Sequence, residues 1–262
     1  MELRLDNKNA LVCGSSQGIG KAIALQFAGM GANVILAGRN IELLKNTINE
    51  LQRNEKQYHY YITADFTEPD SVVSEVENLL RQLGVIHILV NNTGGPAPGE
   101  LNKADVSDLK SAFSQHVVVS QLLAQLLIPG MKAAKYGRII NVISIGAKQP
   151  IKNLGVSNTI RGAMASWGKT LARELGPFGI TVNNLLPGHT FTSRLKSLIE
   201  SRAKENNMTI EEMTASMISE IPVGRLGKPE DLGYAAGFLA SEQASFINGI
   251  NLPVDGGFLQ CL

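Results

Sequence analysis

Seven short apolar runs, rich in β-branched residues, punctuate the chain: Ala10 to Cys13, Asn33 to Ala37, Tyr58 to Ala64, Ile86 to Asn91, Arg138 to Ile143, Thr181 to Leu186 and Gly249 to Val254. Longer stretches with helical patterning separate them, such as Lys21 to Ala28 and Leu109 to Leu127. Runs that are apolar at nearly every position belong to strands covered on both faces. Strand and helix in alternation therefore predict an α/β chain with a doubly wound parallel sheet and helices on both faces. In such sheets the loops at the carboxyl ends of the strands gather on one rim, where ligands bind. Residues 189–220 break the rhythm: polar and rich in Met, Lys and Glu, they predict two short helices, enough to form a lid over that rim. No Pro/Gly/Ser-rich linker or charge block divides the chain, so 1–262 is expected to be a single domain.

Composition narrows the partners. With 44% hydrophobic residues in 262, the chain can bury one large core. The 24 basic and 23 acidic residues are evenly spread and leave a net charge of +1, which argues against a surface for nucleic acid or anionic membrane. Small molecules are the expected partners. The amino-terminal segment 1–6 carries charges where a secretory signal needs an apolar run. Other apolar stretches are interrupted within about 10 positions, short of the ~20 a membrane span needs. A soluble, cytoplasmic protein is expected. Cys13 and Cys261 are too few for a disulfide framework and lack metal-ligand spacing, so a reducing compartment and no metal fit.

The first apolar run leads into glycines at 14, 18 and 20, in the segment Gly14, Ser15, Ser16, Gln17, Gly18, Ile19, Gly20, and then into a helical run. Glycines here let the backbone turn tightly and approach a pyrophosphate, while the helix start offers free N–H donors and partial positive charge. Three glycines alone would also suit a merely tight strand-to-helix turn. The second run, however, ends in Gly38 and Arg39, where an NAD-binding Rossmann-type sheet places a carboxylate against the ribose hydroxyls. A guanidinium pairs with a 2′-phosphate and no acid stands there to repel one, which favours NADP(H). Arg39 as an ordinary solvated loop charge is the alternative.

Taken together these motifs resemble the short-chain dehydrogenase/reductase family over about the whole chain, and most closely its 3-oxoacyl-(acyl carrier protein) reductase-like branch. Gly14 to Gly20 match the family's glycine motif, with Cys13 in place of its usual Thr. Asp65 matches the acidic residue that touches adenine in relatives, and Asn91, Asn92, Thr93 and Gly94 match the Asn-Asn-Ala-Gly motif, from which the resemblance implies cofactor contacts by Asn91 and Gly94. Gly137 to Ser144 look like the strand that delivers the active-site serine. Pro187, Gly188 and Thr192 resemble the segment whose threonine holds the nicotinamide amide, and Gly224 to Glu230 with Asp255 to Gly257 match the carboxyl-terminal part. The resemblance implies a homotetramer or homodimer formed through the helices carrying His116 and Arg161 and the carboxyl-terminal segment.

Within the family's Asn-Ser-Tyr-Lys tetrad only Ser144 is kept: His116 stands at the Asn position, Ser157 at the Tyr and Arg161 at the Lys. A phenol of pKa ~10 can be tuned by a neighbouring cation, whereas an aliphatic alcohol titrates far too high to be a good general acid. Arg161 keeps its charge and five donors and can still hold ribose hydroxyls. The cofactor half of the site reads as retained and the proton-transfer half as dismantled. Losing a general acid costs ~10²–10⁴-fold, while approximation of the reactants supplies ~7–11 kcal/mol, so residual redox chemistry is allowed. In that chemistry Ser144, with Ser157, donates to the developing alkoxide, Arg161 supplies the field, and water or a lid residue supplies the proton.

Two histidines compete for the role of replacement acid. His116 reads first as a satisfied, partly buried or interface residue; His189 reads equally as a site contact and as a loop residue. Lys148 and Lys152 read as a solvated loop face, Cys13 as a small core residue, and Met208 to Met217 as an amphipathic lid or oligomer contact. The leading expectation is an NADP(H)-dependent oxidoreductase acting on a carbonyl or alcohol. Against it stand a non-catalytic NADP(H)-binding or sensing protein, and non-redox chemistry such as elimination on the same scaffold.

Overall fold

The computed structural model describes residues 3–261; Met1 and Glu2, which open the charged amino-terminal segment, and Leu262 lie outside it. Each apolar run contains a strand: β1 (Asn9–Cys13), β2 (Asn33–Gly38), β3 (Tyr60–Thr63), β4 (Ile88–Asn91), β5 (Gly137–Val142), β6 (Ile180–Pro187) and β7 (Asn251–Val254). They pair in parallel in the order β3-β2-β1-β4-β5-β6-β7, the expected doubly wound sheet. The helices are α1 (Gly18–Gly29), α2 (Ile41–Glu50), α3 (Pro69–Leu83), α4 (Val106–Phe113), α5 (Val119–Ala133), α6 (Gly155–Leu175), α7 (Ser193–Glu205), α8 (Ile210–Ser219) and α9 (Pro229–Ala240). Strand β3 is shorter than its apolar run because it is an edge with one neighbour. Before it, the Tyr58 amide donates to the Asn33 side chain at Oδ1 (2.9 Å), and the His59 ring accepts from the Val34 amide at Nδ1 (3.1 Å).

Side chains alternate along each strand, so each strand feeds two apolar layers. Ala10, Val12, Val34 and Leu36 pack with Ile23 and Phe27 of α1 and Leu232 and Leu239 of α9. Their neighbours Leu11, Cys13, Ile35 and Ala37 face the opposite way, with Val72 and Val76 of α3 and Leu123 and Leu127 of α5. The chain leaves β1 for β2 and β3 on one side and returns to β4 on the other. That reversal opens a crevice at the carboxyl ends of β1 and β4.

The run Leu109 to Leu127 is not one regular helix, as its periodicity suggested: residues Ser114–Val118 form a π-turn between α4 and α5. An extra residue in one turn rotates His116 inward, and Ser120 Oγ donates to the freed His116 carbonyl at 2.5 Å. The whole stretch Val106–Ala133 is long and apolar enough to cross a membrane by length and composition, which corrects the expectation that no stretch reaches that length. The polar residues that interrupt it are mostly uncharged and too few to break its apolar character. Its inner side is core, with Val119, Leu123, Leu127 and Met131 buried, while Val106, Phe113 and Val118 face outward.

Residues 189–220 do contain two helices, α7 and α8. Thr192 caps α7 by accepting from the Leu195 amide (3.3 Å), and Thr209 and Glu212 form a reciprocal cap on α8. Leu195, Ile199 and Ala203 meet Met213 and Met217 in a small separate core. These two methionines therefore serve packing between the helices.

Candidate active site

A cleft of about 380 Å³ opens at the carboxyl ends of the central strands. One lip is the glycine turn. Gly14 and Gly18 sit at φ 58° and 59°, in the left-handed region, and a Cβ on Gly14 or Gly20 would overlap neighbouring backbone. Asn92 Nδ2 holds the turn from below, donating to the carbonyls of Cys13 (3.1 Å) and Gly14 (3.2 Å). Helix α1 begins at Gly18 without a side-chain cap and with no acidic residue in its first turn. Its amino-terminal N–H groups and partial positive charge are thus left for a ligand.

Gly14, Ser16, Gly18, Ile19, Arg39 and Gly94 line this part of the cleft, as the sequence suggested. Ser15 does not: its buried hydroxyl accepts from the Ala37 amide at 3.0 Å and ties the turn to β2. Gly20 lies behind the turn, where only the absence of a Cβ lets the chain pass Gly14. Asp65 stands just outside the lining, between Ala64 and Phe66, which do line it. The Thr67 amide at 3.0 Å holds the Asp65 carboxyl below its ordinary range, with a smaller contribution from the charge of Arg39.

Ser144, Ser157, Arg161, Pro187, Gly188 and Thr192 line the other part. Ser144 follows β5, and its Oγ accepts from the Gly146 amide at 3.0 Å, which leaves the hydroxyl proton free to point elsewhere. Ser157 stands in the first turn of α6 and has no hydrogen-bond partner among the described residues. Arg161, one turn further, is 7% exposed; its Nη1 donates to the Val142 carbonyl (3.2 Å), and its Nε has no partner. Burial, then the charge of Arg194, pull its pKa down to about 10, so it remains a cation at neutral pH. Lys148 and Lys152 stay outside the lining. The Thr192 hydroxyl is already engaged, accepting from Leu195 and donating to the Thr190 carbonyl (3.4 Å).

Asn91 does not reach the cleft. Instead it starts a ladder across four strands in register: Asn91 donates to Asn141 (2.8 Å), Asn141 to Asn184 (2.8 Å) and Asn184 to Asn251 (2.7 Å). A carboxamide carries both a donor and an acceptor, so Asn141 and Asn184 each give one hydrogen bond and take another. Helix α6 rests on this ladder through Gly168, where a Cβ would lie 2.7 Å from Asn184 Oδ1 and 2.9 Å from Asn141 Nδ2. Ser157, Arg161, Met164 and Gly168 share one helical stripe, so the ladder sets how far the first two enter the cleft.

His116, a candidate catalytic residue by its place in the sequence, lies behind the cleft. With Arg161, Asn91 and Thr93 it encloses a cavity of about 10 Å³, room for about one water. Its Nδ1 is 2.6 Å from Thr93 Oγ1, and its Nε2 has no partner. Burial first, then the nearby Arg161 guanidinium, push its pKa from 6.5 down to about 3, so it is neutral near pH 7. An unfolded chain takes this proton near 6.5, so stability falls as pH drops from there towards 3. At about pH 5 the His116 share is ~2 kcal/mol. The other three histidines shift the same way, so a residual slope stays. Urea unfolding at neutral and acid pH should show a shallower loss in His116→Asn; equal losses in the two proteins would contradict the burial.

His189 does line the cleft, its ring edge-on to Phe258 with centroids 4.8 Å apart. Burial, then Arg202, lower its pKa. Cys13 is buried and its thiol is pushed up to about 12, as a core residue requires. Two arginines of α7 escaped the motif reading. Arg194 donates to the Gly95 (2.7 Å) and Pro96 (2.8 Å) carbonyls across the cleft, and Arg202 lines it two turns later. Their only trace in the sequence is helical spacing within a segment that has no motif.

Residues 14–259 match the family model described as Enoyl-(Acyl carrier protein) reductase. The chain is 29% identical to NADPH-dependent reductase BacG of Bacillus subtilis strain 168, over 98% of this chain and all of that one. It is 32% identical to 7alpha-hydroxysteroid dehydrogenase of Escherichia coli K12, over 98% of this chain and 96% of that one. Among solved structures, L-sorbose reductase from Gluconobacter frateurii, complexed with NADPH and L-sorbose, superposes with a TM-score of 0.93 at 32% identity over the full length of both. These three proteins bear the names of different reactions, and each matches this chain over nearly its full length. The chain belongs to the short-chain dehydrogenase/reductase family.

Proposed function

We propose that the protein is an NADP(H)-dependent oxidoreductase acting on a carbonyl or alcohol, built as a single unit with residues 189–220 as its lid. One observation carries this reading: a single cleft joins a phosphate cradle, the uncapped start of α1 and exposed Arg39 to two hydroxyls and a buried cation. The glycine cradle, which a Cβ would fill, fits a dinucleotide, and the names of two relatives, each an NADPH-dependent or NADPH-complexed reductase, agree. NADPH would supply the hydride. The α1 amides and the glycine turn would hold its pyrophosphate, Arg39 its 2′-phosphate, and Arg161 the ribose next to the nicotinamide.

At the substrate, the Ser144 and Ser157 hydroxyls donate to the carbonyl oxygen, and Arg161 stabilises the charge that grows there. Neither serine can surrender its proton near neutral pH, so the proton comes from water or from His189 across the cleft. Arg39→Gln should weaken NADPH binding by about ten- to a hundred-fold while NADH affinity moves only a few-fold, as calorimetry would read. Equal losses for both would remove Arg39 from 2′-phosphate recognition.

A second reading, a non-catalytic NADP(H)-binding protein, is favoured by the absence of any phenol, lysine or carboxyl from the cleft lining among the described residues. The double variant Ser157→Tyr with Arg161→Lys decides between them. A wild type inert towards a wide carbonyl panel, with a double variant that reduces members of it, would establish the second.

Self-association through two surfaces completes the proposal. Val106, Phe113 and Val118 stand exposed on one, and Tyr234 and Phe238 of α9 with Phe246 shortly after it on the other. Sedimentation as a monomer at micromolar concentration would overturn it.

A further inference from the structure

The cleft is unbalanced in charge. Arg39, Arg161, Arg194 and Arg202 line it, and among the described residues no carboxylate does; Glu220, whose charge reaches His189, stands outside the lining. Two of these cations have work in the proposed function: Arg39 lies at the 2′-phosphate end and Arg161 beneath Ser144. The other two stand on the lid. Arg194, Leu198 and Arg202 follow each other at intervals of four along α7, one stripe facing the same cleft as Ser144 and Ser157. Hydrogen bonds from Arg194 to two neutral carbonyls leave its charge uncompensated, and that charge is felt at Arg161. The Arg202 guanidinium has no hydrogen-bond or ion-pair partner among the described residues, and its charge reaches His189. Between them Leu198, with Ile151 and Leu154 opposite, offers apolar walls.

We infer that the substrate is an oxo acid: a carbonyl compound whose carboxylate is read by Arg202, with Arg194 adding to the field, and whose aliphatic body lies against Leu198. This rests on the oxidoreductase reading and adds the substrate class to it. A guanidinium matches a carboxylate in shape as well as charge, so a planar, bidentate contact is available to Arg202 and would be absent for an ester. The reaction itself balances as a carbonyl reduction: hydride from NADPH to carbon, a proton to oxygen, and the carboxylate unchanged.

The test uses NADPH-saturated full-length protein and a series of straight-chain 2-oxo and 4-oxo acids, each beside its methyl ester. Calorimetric affinity and NADPH oxidation are both recorded. Acids should bind at least about ten-fold more tightly than their esters. In Arg202→Gln that preference should shrink to within about two-fold, and Arg202→Lys should recover part of it. Esters that bind as well as acids, a preference that survives Arg202→Gln, or no acid-selective binding anywhere in the series would each overturn the assignment. Arg202→Gln that weakens NADPH itself by about ten-fold would also overturn it, since the guanidinium would then serve the cofactor. Selective binding of acids without NADPH oxidation would uphold the anion site and sink the oxidoreductase reading; reduction of neutral ketones with acids ignored would do the reverse.

Discussion

Ser144→Ala is expected to lower kcat for carbonyl reduction by about 10²–10³-fold while KM changes only a few-fold. The Ser144 oxygen accepts from the Gly146 amide, which leaves its own proton available to a carbonyl oxygen in the cleft. A donor held in this way gains strength as the carbonyl oxygen becomes an alkoxide, and its loss therefore appears in kcat. Ser157→Ala should fall in the same direction. The double variant should lose less than the product of the two, because both donors serve one oxygen. Folding stability is the control: Ser144 also caps a short 3₁₀ turn, worth about 1 kcal/mol, so its variant should melt only slightly earlier. Turnover of a genuine substrate unchanged by Ser144→Ala would remove this residue from the chemistry.

The largest stability effect is expected at the middle of the amide ladder. In Asn141→Leu, Asn91 loses its acceptor and Asn184 its donor, both in places closed to water. Each orphaned group costs about 1–3 kcal/mol, for a loss of roughly 3 kcal/mol after relaxation. In a chain of this size that lowers Tm by about 6–12 °C. Asn251→Ala removes the last rung, but Asn251 is exposed and water can serve Asn184 there, so less than about 1 kcal/mol should go. The ranking is the test: thermal melts in which the two variants lose equally would mean the ladder carries no buried penalty. Because Gly168 of α6 rests on Asn141 and Asn184, Asn141→Leu should also displace Ser157 and Arg161 and reduce turnover.

Some features were readable from the chain because their signals are local. Strands β1, β2, β4, β5 and β6 run between helix partners on both faces, so nearly every residue is buried and most are apolar, and the runs declare themselves. The glycine turn was equally plain, since Gly14 and Gly18 occupy a backbone region that other residues avoid. Strand β3 was drawn too long because an edge position, with one neighbour, has no mark in composition. The π-turn was invisible for a similar reason: one extra residue in a turn leaves the apolar spacing almost unchanged over a window of that length.

Side-chain partners were the part that spacing could not give. Asn91 belongs to a motif and was assigned to the cofactor, yet its amide meets Asn141, fifty residues away. His116 stood at a catalytic position by count and lies behind Arg161, neutral and shielded. Sequence alone determined the order of strand and helix, the place of the glycine turn and the positions of Ser144, Ser157 and Arg161 within their motifs, because these depend on neighbours along the chain. Tertiary structure decided which polar groups face the cleft and which bond to one another beneath it, and it brought two arginines of α7 into the same cleft as the serines. Packing and unscreened charge depend on distance through space, and residues far apart along the backbone leave no periodic trace of that distance.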